Sequence, residues 1–224
     1  MFNSKLRAVL VDIDGTLIDS NDAHTRAWQQ ALARRGHKFS YDEIRPLIGK
    51  GGDKLLETLI GVDGKSSLAE EISAERGAIF LERELRGLLP TRGARDLIER
   101  LRASGLRVVV ATSAQAAETG ALLSQAGLDD LIDQAASAAD AEDSKPDPDI
   151  VQSALRKAGV RPSEAVMIGD TPFDVEAAKR AGVSAAILRC GGWWNDDSFE
   201  GALAIYDDPA DLLEKLAASP LNAS

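Results

Sequence analysis

Short, wholly apolar runs alternate along this chain with longer stretches in which apolar residues recur every three or four positions. Ala8-Val9-Leu10-Val11 is an unbroken aliphatic run that stops at Asp12, as a strand buried on both faces does. The same pattern returns over residues 106–111 before Thr112, over 165–168 before Gly169-Asp170, and over 185–188. Weaker runs at 131–135 and 203–206 predict two further strands. Helical spacing fills the gaps at 92–103, 116–126, 149–158, 175–181 and 209–216, and Gly105, Gly127, Gly159 and Gly182 stand just past four of those ends. Glycine suits that place because it accepts the left-handed conformation that closes a helix. Strands alternating with helices predict an α/β fold, a Rossmann-like parallel sheet covered on both faces.

Residues 19–89 break the alternation. They contain no convincing buried strand, only helical patterns such as Ala23-Ala27-Trp28-Ala31-Leu32 and Leu68-Ile72-Ile79-Leu81, separated by glycines. An all-helical insertion between the first strand and the rest is the expectation, forming a small second domain, with Pro90 and Gly93 marking the return. The domains expected are therefore a core of residues 1–18 and 90–224 and a helical cap of 19–89. A length of 224 residues agrees, being about one and a half times a typical domain of ~150. The last residues, 219–224, are expected to fray.

Composition removes several classes. Aromatic residues are 4% of the chain, which disfavours an aromatic-rich β-sandwich. Lys and Arg number 26 against 36 Asp and Glu, a net charge of −10, so the electrostatic footprint of a nucleic-acid or anionic-membrane binder is missing. The excess acid fits either solvated surface or carboxylates gathered around a cation. One cysteine, Cys190, allows no internal disulfide and fits a reducing compartment. The apolar run at 6–13 is too short to span a bilayer, and no secretory pattern follows Met1. The expectation is a cytoplasmic protein.

The polar residues that end the strands carry the chemistry. Asp12-Ile13-Asp14-Gly15-Thr16 leaves the first strand with two carboxylates one residue apart, which repel each other and any phosphate unless a divalent cation joins them. Oxygen ligands alone point to Mg²⁺. Gly169-Asp170-Thr171-Pro172-Phe173-Asp174 offers two more acids one helical turn apart. Thr112 supplies a hydroxyl, and Lys145 before Pro146 a fixed positive charge. In open α/β sheets, strand C-termini share one ligand-binding edge. Four acids, a hydroxyl and a lysine on that edge form a set suited to phosphoryl transfer.

These residues, in this order, resemble the four motifs of the haloacid dehalogenase superfamily, in the branch of phosphoglycolate phosphatase and beta-phosphoglucomutase, and the likeness extends over nearly the whole chain. The resemblance implies a Mg²⁺-dependent phosphatase that hydrolyses small phosphorylated metabolites through an aspartyl-phosphate on Asp12. It implies Asp14 as general acid and base, with its backbone carbonyl a metal ligand. Thr112, the adjacent Ser113 and Lys145 would hold phosphoryl oxygens, and Lys145 would orient Asp12. Asp170 would bind the metal directly, and Asp174 through water or by holding the loop, unless it merely caps the following helix. An acid at Asp14 is absent from true dehalogenases. Gly169 stands where the related sugar-phosphate mutases carry glutamate, and their cap arginine has Gly51-Gly52 near its place, so a mutase is the second reading. A phospho-aspartate receiver or binding module is the alternative from another class, which the helical insertion disfavours.

Outside the motifs, His24 fits either packing or a substrate or proton-relay role, and Lys50 either a substrate contact or a plain exposed charge. Trp193-Trp194 reads as packing or an interface edge ahead of a substrate wall, and Cys190 as a small buried residue. The expected partner is the metabolite alone, on a monomer or homodimer.

Overall fold

The computed structural model describes residues 6–222. Six parallel strands form one sheet in the order β3-β2-β1-β4-β5-β6: β1 (Ala8–Val11), β2 (Arg107–Ala111), β3 (Gln134–Ala136), β4 (Ala165–Gly169), β5 (Ser184–Leu188) and β6 (Ala204–Tyr206). In β1, Val9 and Val11 pack into one apolar cluster and Ala8 and Leu10 into another on the opposite face. That two-residue period is why the run is apolar throughout: both faces are covered. The first cluster includes Leu97 and Leu101 of α5 (Ala94–Ala103), Leu122 of α6 (Ala116–Ala126) and Leu212 of α9 (Pro209–Lys215). The second includes Ile150, Val151 and Ala154 of α7 (Asp149–Ala158) and Ala177 and Ala178 of α8 (Pro172–Arg180). Gly127 and Gly159 close α6 and α7 in the left-handed conformation, with φ of 63° at each.

Strand order reverses at β1, which pairs with β2 on one side and β4 on the other. The crevice beyond their C-termini is the switch point where α/β sheets take ligands. Over it lies the helical insertion: α1 (Asn21–Arg34), α2 (Tyr41–Ile44), α3 (Gly52–Ile60) and α4 (Ser67–Ile79), the last running into a π-helical turn at Phe80–Glu84. The chain leaves and returns side by side. Asp19 N–H donates to Leu89 O at 3.0 Å and Thr91 N–H to Leu17 O at 2.9 Å, around a bridge between Ile18 and Pro90.

Four sequence expectations need correction. The strand expected at 131–135 begins at Gln134, because the Asp133 carboxylate accepts the Val108 N–H and Leu131 closes a 3₁₀ turn instead. Helix α8 starts at Pro172 and not at residue 175, since Thr171 and Asp174 form a reciprocal capping box one turn earlier. In α4 the stripe Leu68-Ile72-Ile79-Leu81 is only half buried. Leu68 and Leu81 are exposed while Phe80 is inside, since Leu81, nine residues after the buried Ile72, falls on the opposite side of the helix. Residues 219–221 do not fray: Ser219 Oγ bonds Tyr206 Oη at 2.6 Å and Leu221 is buried. Residues 223–224 of that expected tail lie outside the described residues.

Candidate active site

Three buried strands end by handing their next polar residue to the crevice. Asp12 continues β1, its N–H still bonded to Ile168 O at 2.9 Å, and Thr112 continues β2 through Ala136 O at 3.1 Å. Asp170 follows β4. Gly15 then turns the chain with φ of 74°, and a Cβ there would lie 2.0 Å from Asn21 Nδ2 and 2.2 Å from Asp170 Oδ2. Only glycine meets both demands. Gly15→Ala is expected to cost about 1–3 kcal/mol and to raise the metal concentration needed for half-maximal activity, as thermal unfolding and a Mg²⁺ titration will measure.

Asp12, Asp170 and Asp174 are all buried and bring one carboxylate oxygen each within 4.8 Å of one another. Lys145, 1% exposed, places Nζ 2.8 Å from Asp12 Oδ1 and 2.8 Å from Asp174 Oδ1. Asp174 is held on its other oxygen as well, by Thr171 Oγ1 at 2.7 Å and Thr171 N–H at 3.0 Å. It is therefore both the helix cap and the anchor of the lysine. Asp170 accepts from Asn21 Nδ2 at 2.8 Å and Thr16 Oγ1 at 3.1 Å.

Burial dominates the electrostatics. It pushes the Asp12 carboxyl up to about 7, against the pull of Lys145 and with the help of Asp174 and Asp14. It pushes Asp170 well above the usual carboxylate range, Asp174 and Asp12 adding to it. Lys145 stays charged, because Asp12 and Asp174 outweigh the desolvation that would lower it. One ammonium among three buried carboxyls is too little charge to keep all of them ionised, and a divalent cation on oxygen ligands answers that deficit. The residues present thus fit the metal inferred from the sequence.

Asp14 takes no part in that cluster through its side chain. Its carboxylate accepts from Ser20 Oγ at 2.5 Å and sits 2.8 Å from His24 Nε2. Burial alone would raise it, but His24, Ser20 and Arg76 hold it below the usual range. His24 packs, stacking on Phe80 at 4.0 Å, while its ring nitrogens reach Asp14 and Arg76.

A cavity of about 50 Å³ opens on Asp12 and Asp14, with Thr112, Ser113, His24 and Lys50 among its walls. Lys50 Nζ lies 5.1 Å above the Phe173 ring. Trp193 and Trp194 stand apart from it. Trp193 stacks with Arg45 of the insertion, whose guanidinium donates to Gly191 O, and Trp194 meets Phe173 of α8 edge-on within the core. A larger cavity, about 830 Å³, lies at the far end of the sheet around Arg7 and Arg156 and has no carboxylate cluster.

Two wall residues escaped the sequence reading. Arg76 of α4 is 8% exposed and donates from Nη1 to Glu118 Oε2 of α6 at 2.6 Å, with its guanidinium 5.1 Å over Trp28. Its signal was present: a charged residue at the buried spacing four after Ile72. Glu118 carried none, being an ordinary acid in a helix's first turn. Cys190 donates to Gly15 O at 3.2 Å, and burial foremost pushes its thiol up to about 12. At pH 8 a disulfide reagent should modify it about a thousandfold more slowly in the folded chain than in denaturant, a ratio that colorimetric thiol kinetics will test.

A doubly wound parallel sheet whose switch point holds these acids and this lysine under a helical insertion defines a phosphatase class. The model of the haloacid dehalogenase-like hydrolase family matches residues 6–182, and the chain belongs to that family. It is 32% identical to a phosphoglycolate phosphatase of Rhodospirillum rubrum over 92% of this chain and 89% of that protein. The crystal structure of a hydrolase from Pseudomonas syringae superposes with a TM-score of 0.87 at 31% identity, covering 95% of this chain and 98% of that one. A mutant of CbbY from Rhodobacter sphaeroides, in complex with xylulose 1,5-bisphosphate, gives 0.79 at 26% identity, over 92% and 96%. The chain is thus a haloacid dehalogenase-like phosphatase acting on small phosphorylated molecules, which decides against a receiver module. Among the described residues no helix is long and apolar enough to cross a membrane.

Proposed function

We propose that the chain hydrolyses monoesters of small metabolites with Mg²⁺ as cofactor, Asp12 as nucleophile and Asp14 as general acid and base. The observation that carries this reading is the Lys145 ammonium fixed 2.8 Å from both Asp12 and Asp174 inside the carboxylate cluster. A carboxylate oriented in this way is set for in-line attack before substrate arrives. An Asp12 oxygen bonds to phosphorus as the ester oxygen departs, and Asp14 passes that oxygen a proton taken from His24, whose Nε2 lies 2.8 Å from Asp14 Oδ1. Asp14 then takes a proton from water, the water oxygen bonds to phosphorus, and Asp12 is released with inorganic phosphate. Thr112, Ser113 and Lys145 hold the phosphoryl oxygens. Asp12, Asp170 and, from behind, Asp174 would hold the metal, which when bound offsets negative charge on the phosphoryl group.

Residues 19–89 are the cap in this reading and residues 1–18 and 90–224 the core, with His24 and Lys50 reaching the substrate from the cap. Hydrolysis is favoured over a mutase by Gly169, where a Cβ would stand 2.4 Å from Asp174 Cγ, so a glutamate there would displace the anchor of Lys145. Phosphate release from a panel of phosphorylated metabolites, with Mg²⁺ and with EDTA, tests the proposal. Chelation is expected to lower turnover about a hundredfold or more, and undiminished turnover in EDTA removes the metal from it.

A further inference from the structure

Beside the catalytic cavity lies a second chamber of about 370 Å³, between the insertion helices α3 and α4 and the sheet's C-terminal loops. Gly52, Arg76 and Ser113 belong to the walls of both spaces, so the chamber begins where the catalytic cavity ends. Three of its wall residues each carry a buried atom with no hydrogen-bond partner: Asp53 Oδ1, Arg76 Nε and Ser113 Oγ. Arg76 itself is more than nine-tenths buried. Leaving such a group unpaired costs about 1–3 kcal/mol, so these atoms await a partner from outside the chain. They comprise one acceptor, one donor and one hydroxyl that serves as either. Hydroxyl groups answer that set, since each both donates and accepts.

Charge narrows the choice further. The Arg76 cation is already matched by Glu118 at 2.6 Å. The remaining charged side chains of the chamber wall, Asp53 and Glu70, are both acidic. Lys50 lines the catalytic cavity and is absent from the chamber. A carboxylate or second phosphate entering here would meet two acids and compete with Glu118 for the one arginine, and an unbalanced charge in a desolvated site is costly.

Resting on the reading that places the phosphoryl group at Asp12, we propose that this chamber receives the leaving group and selects an uncharged, polyhydroxylated one. The enzyme then prefers monophosphates of sugars or polyols over esters that carry a carboxylate or a second phosphate. The carboxylates of Asp53 and Glu118 enforce the preference, the first by accepting hydroxyl protons, the second by occupying Arg76.

The test measures kcat/KM of the full chain with Mg²⁺ on a hexitol monophosphate, phosphoglycolate, a sugar bisphosphate and p-nitrophenyl phosphate. Wild type is compared with Asp53→Asn and Glu118→Gln. The hexitol ester is expected to exceed both doubly anionic esters by about tenfold or more, and each variant to shrink that ratio by about tenfold. Both replacements keep the side chain's shape, and either alone suffices should the other fail to fold. Equal or faster turnover of phosphoglycolate or the bisphosphate by wild type overturns the inference, as does a ratio unmoved in the folded variants. Turnover of p-nitrophenyl phosphate alongside such a reversal would spare the phosphatase reading, whereas no turnover of any ester would remove that reading and this inference together.

Discussion

Replacing Asp12 by asparagine is expected to lower phosphate release by about 10³-fold or more while leaving the fold intact. An amide has the carboxylate's shape but no charged oxygen to bond phosphorus, so the loss falls on kcat. Stability should move little. The site already pushes the Asp12 carboxyl up to about 7, which means burial there tolerates a neutral group. Lys145 also keeps its second partner, Asp174 Oδ1 at 2.8 Å. Steady-state kinetics and thermal unfolding of one preparation separate the two effects. Undiminished turnover would remove Asp12 as nucleophile, and a collapse in melting temperature would show that the carboxylate holds the fold.

Lys145→Met reverses the pattern: it is expected to destabilise the chain by about 3–5 kcal/mol, besides abolishing turnover. Methionine fills the space of the lysine stem but leaves Asp12, Asp170 and Asp174 buried with no cation beside them. For a chain of this size that amounts to roughly 10 °C in melting temperature, best measured in EDTA. Added Mg²⁺ should restore part of the loss, because a divalent cation on the same carboxylates supplies the missing charge. Combining it with Asp12→Asn should cost less than the single changes predict, since one of the stranded acids is then neutral. An unchanged melting temperature in EDTA would show that Lys145 does not balance these carboxylates.

Much of this site was legible from local pattern. A strand covered on both faces must be an apolar run, so Asp12, Thr112 and Asp170 announce themselves as the first polar residues after such runs. Parallel strands send those ends to one edge, so chain direction alone places the residues together. Glycines after α6 and α7 marked helix ends because few other residues take a positive φ.

Where a side chain turns once it reaches the edge is another matter. Lys145 meets Asp12 across 133 residues, and Arg76 meets Glu118 across 42. Neither spacing leaves a periodic trace. His24 suits packing and polar contact equally from its helical face, and only the tertiary structure seats it between Phe80, Asp14 and Arg76. Ser219, at the start of the tail expected to fray, is held by Tyr206 through a contact that no run of small residues foretells.

By itself, then, the sequence determined the alternating fold, the helical insertion and the order of acids at the strand ends, because burial and chain direction act on neighbours a few residues apart. Only the tertiary structure decided which carboxylate grips the lysine, which arginine and glutamate close the cavity, and what room lies beyond it. Those depend on how the insertion packs over the sheet edge, a balance of desolvation and pairing between residues that local pattern never brings together.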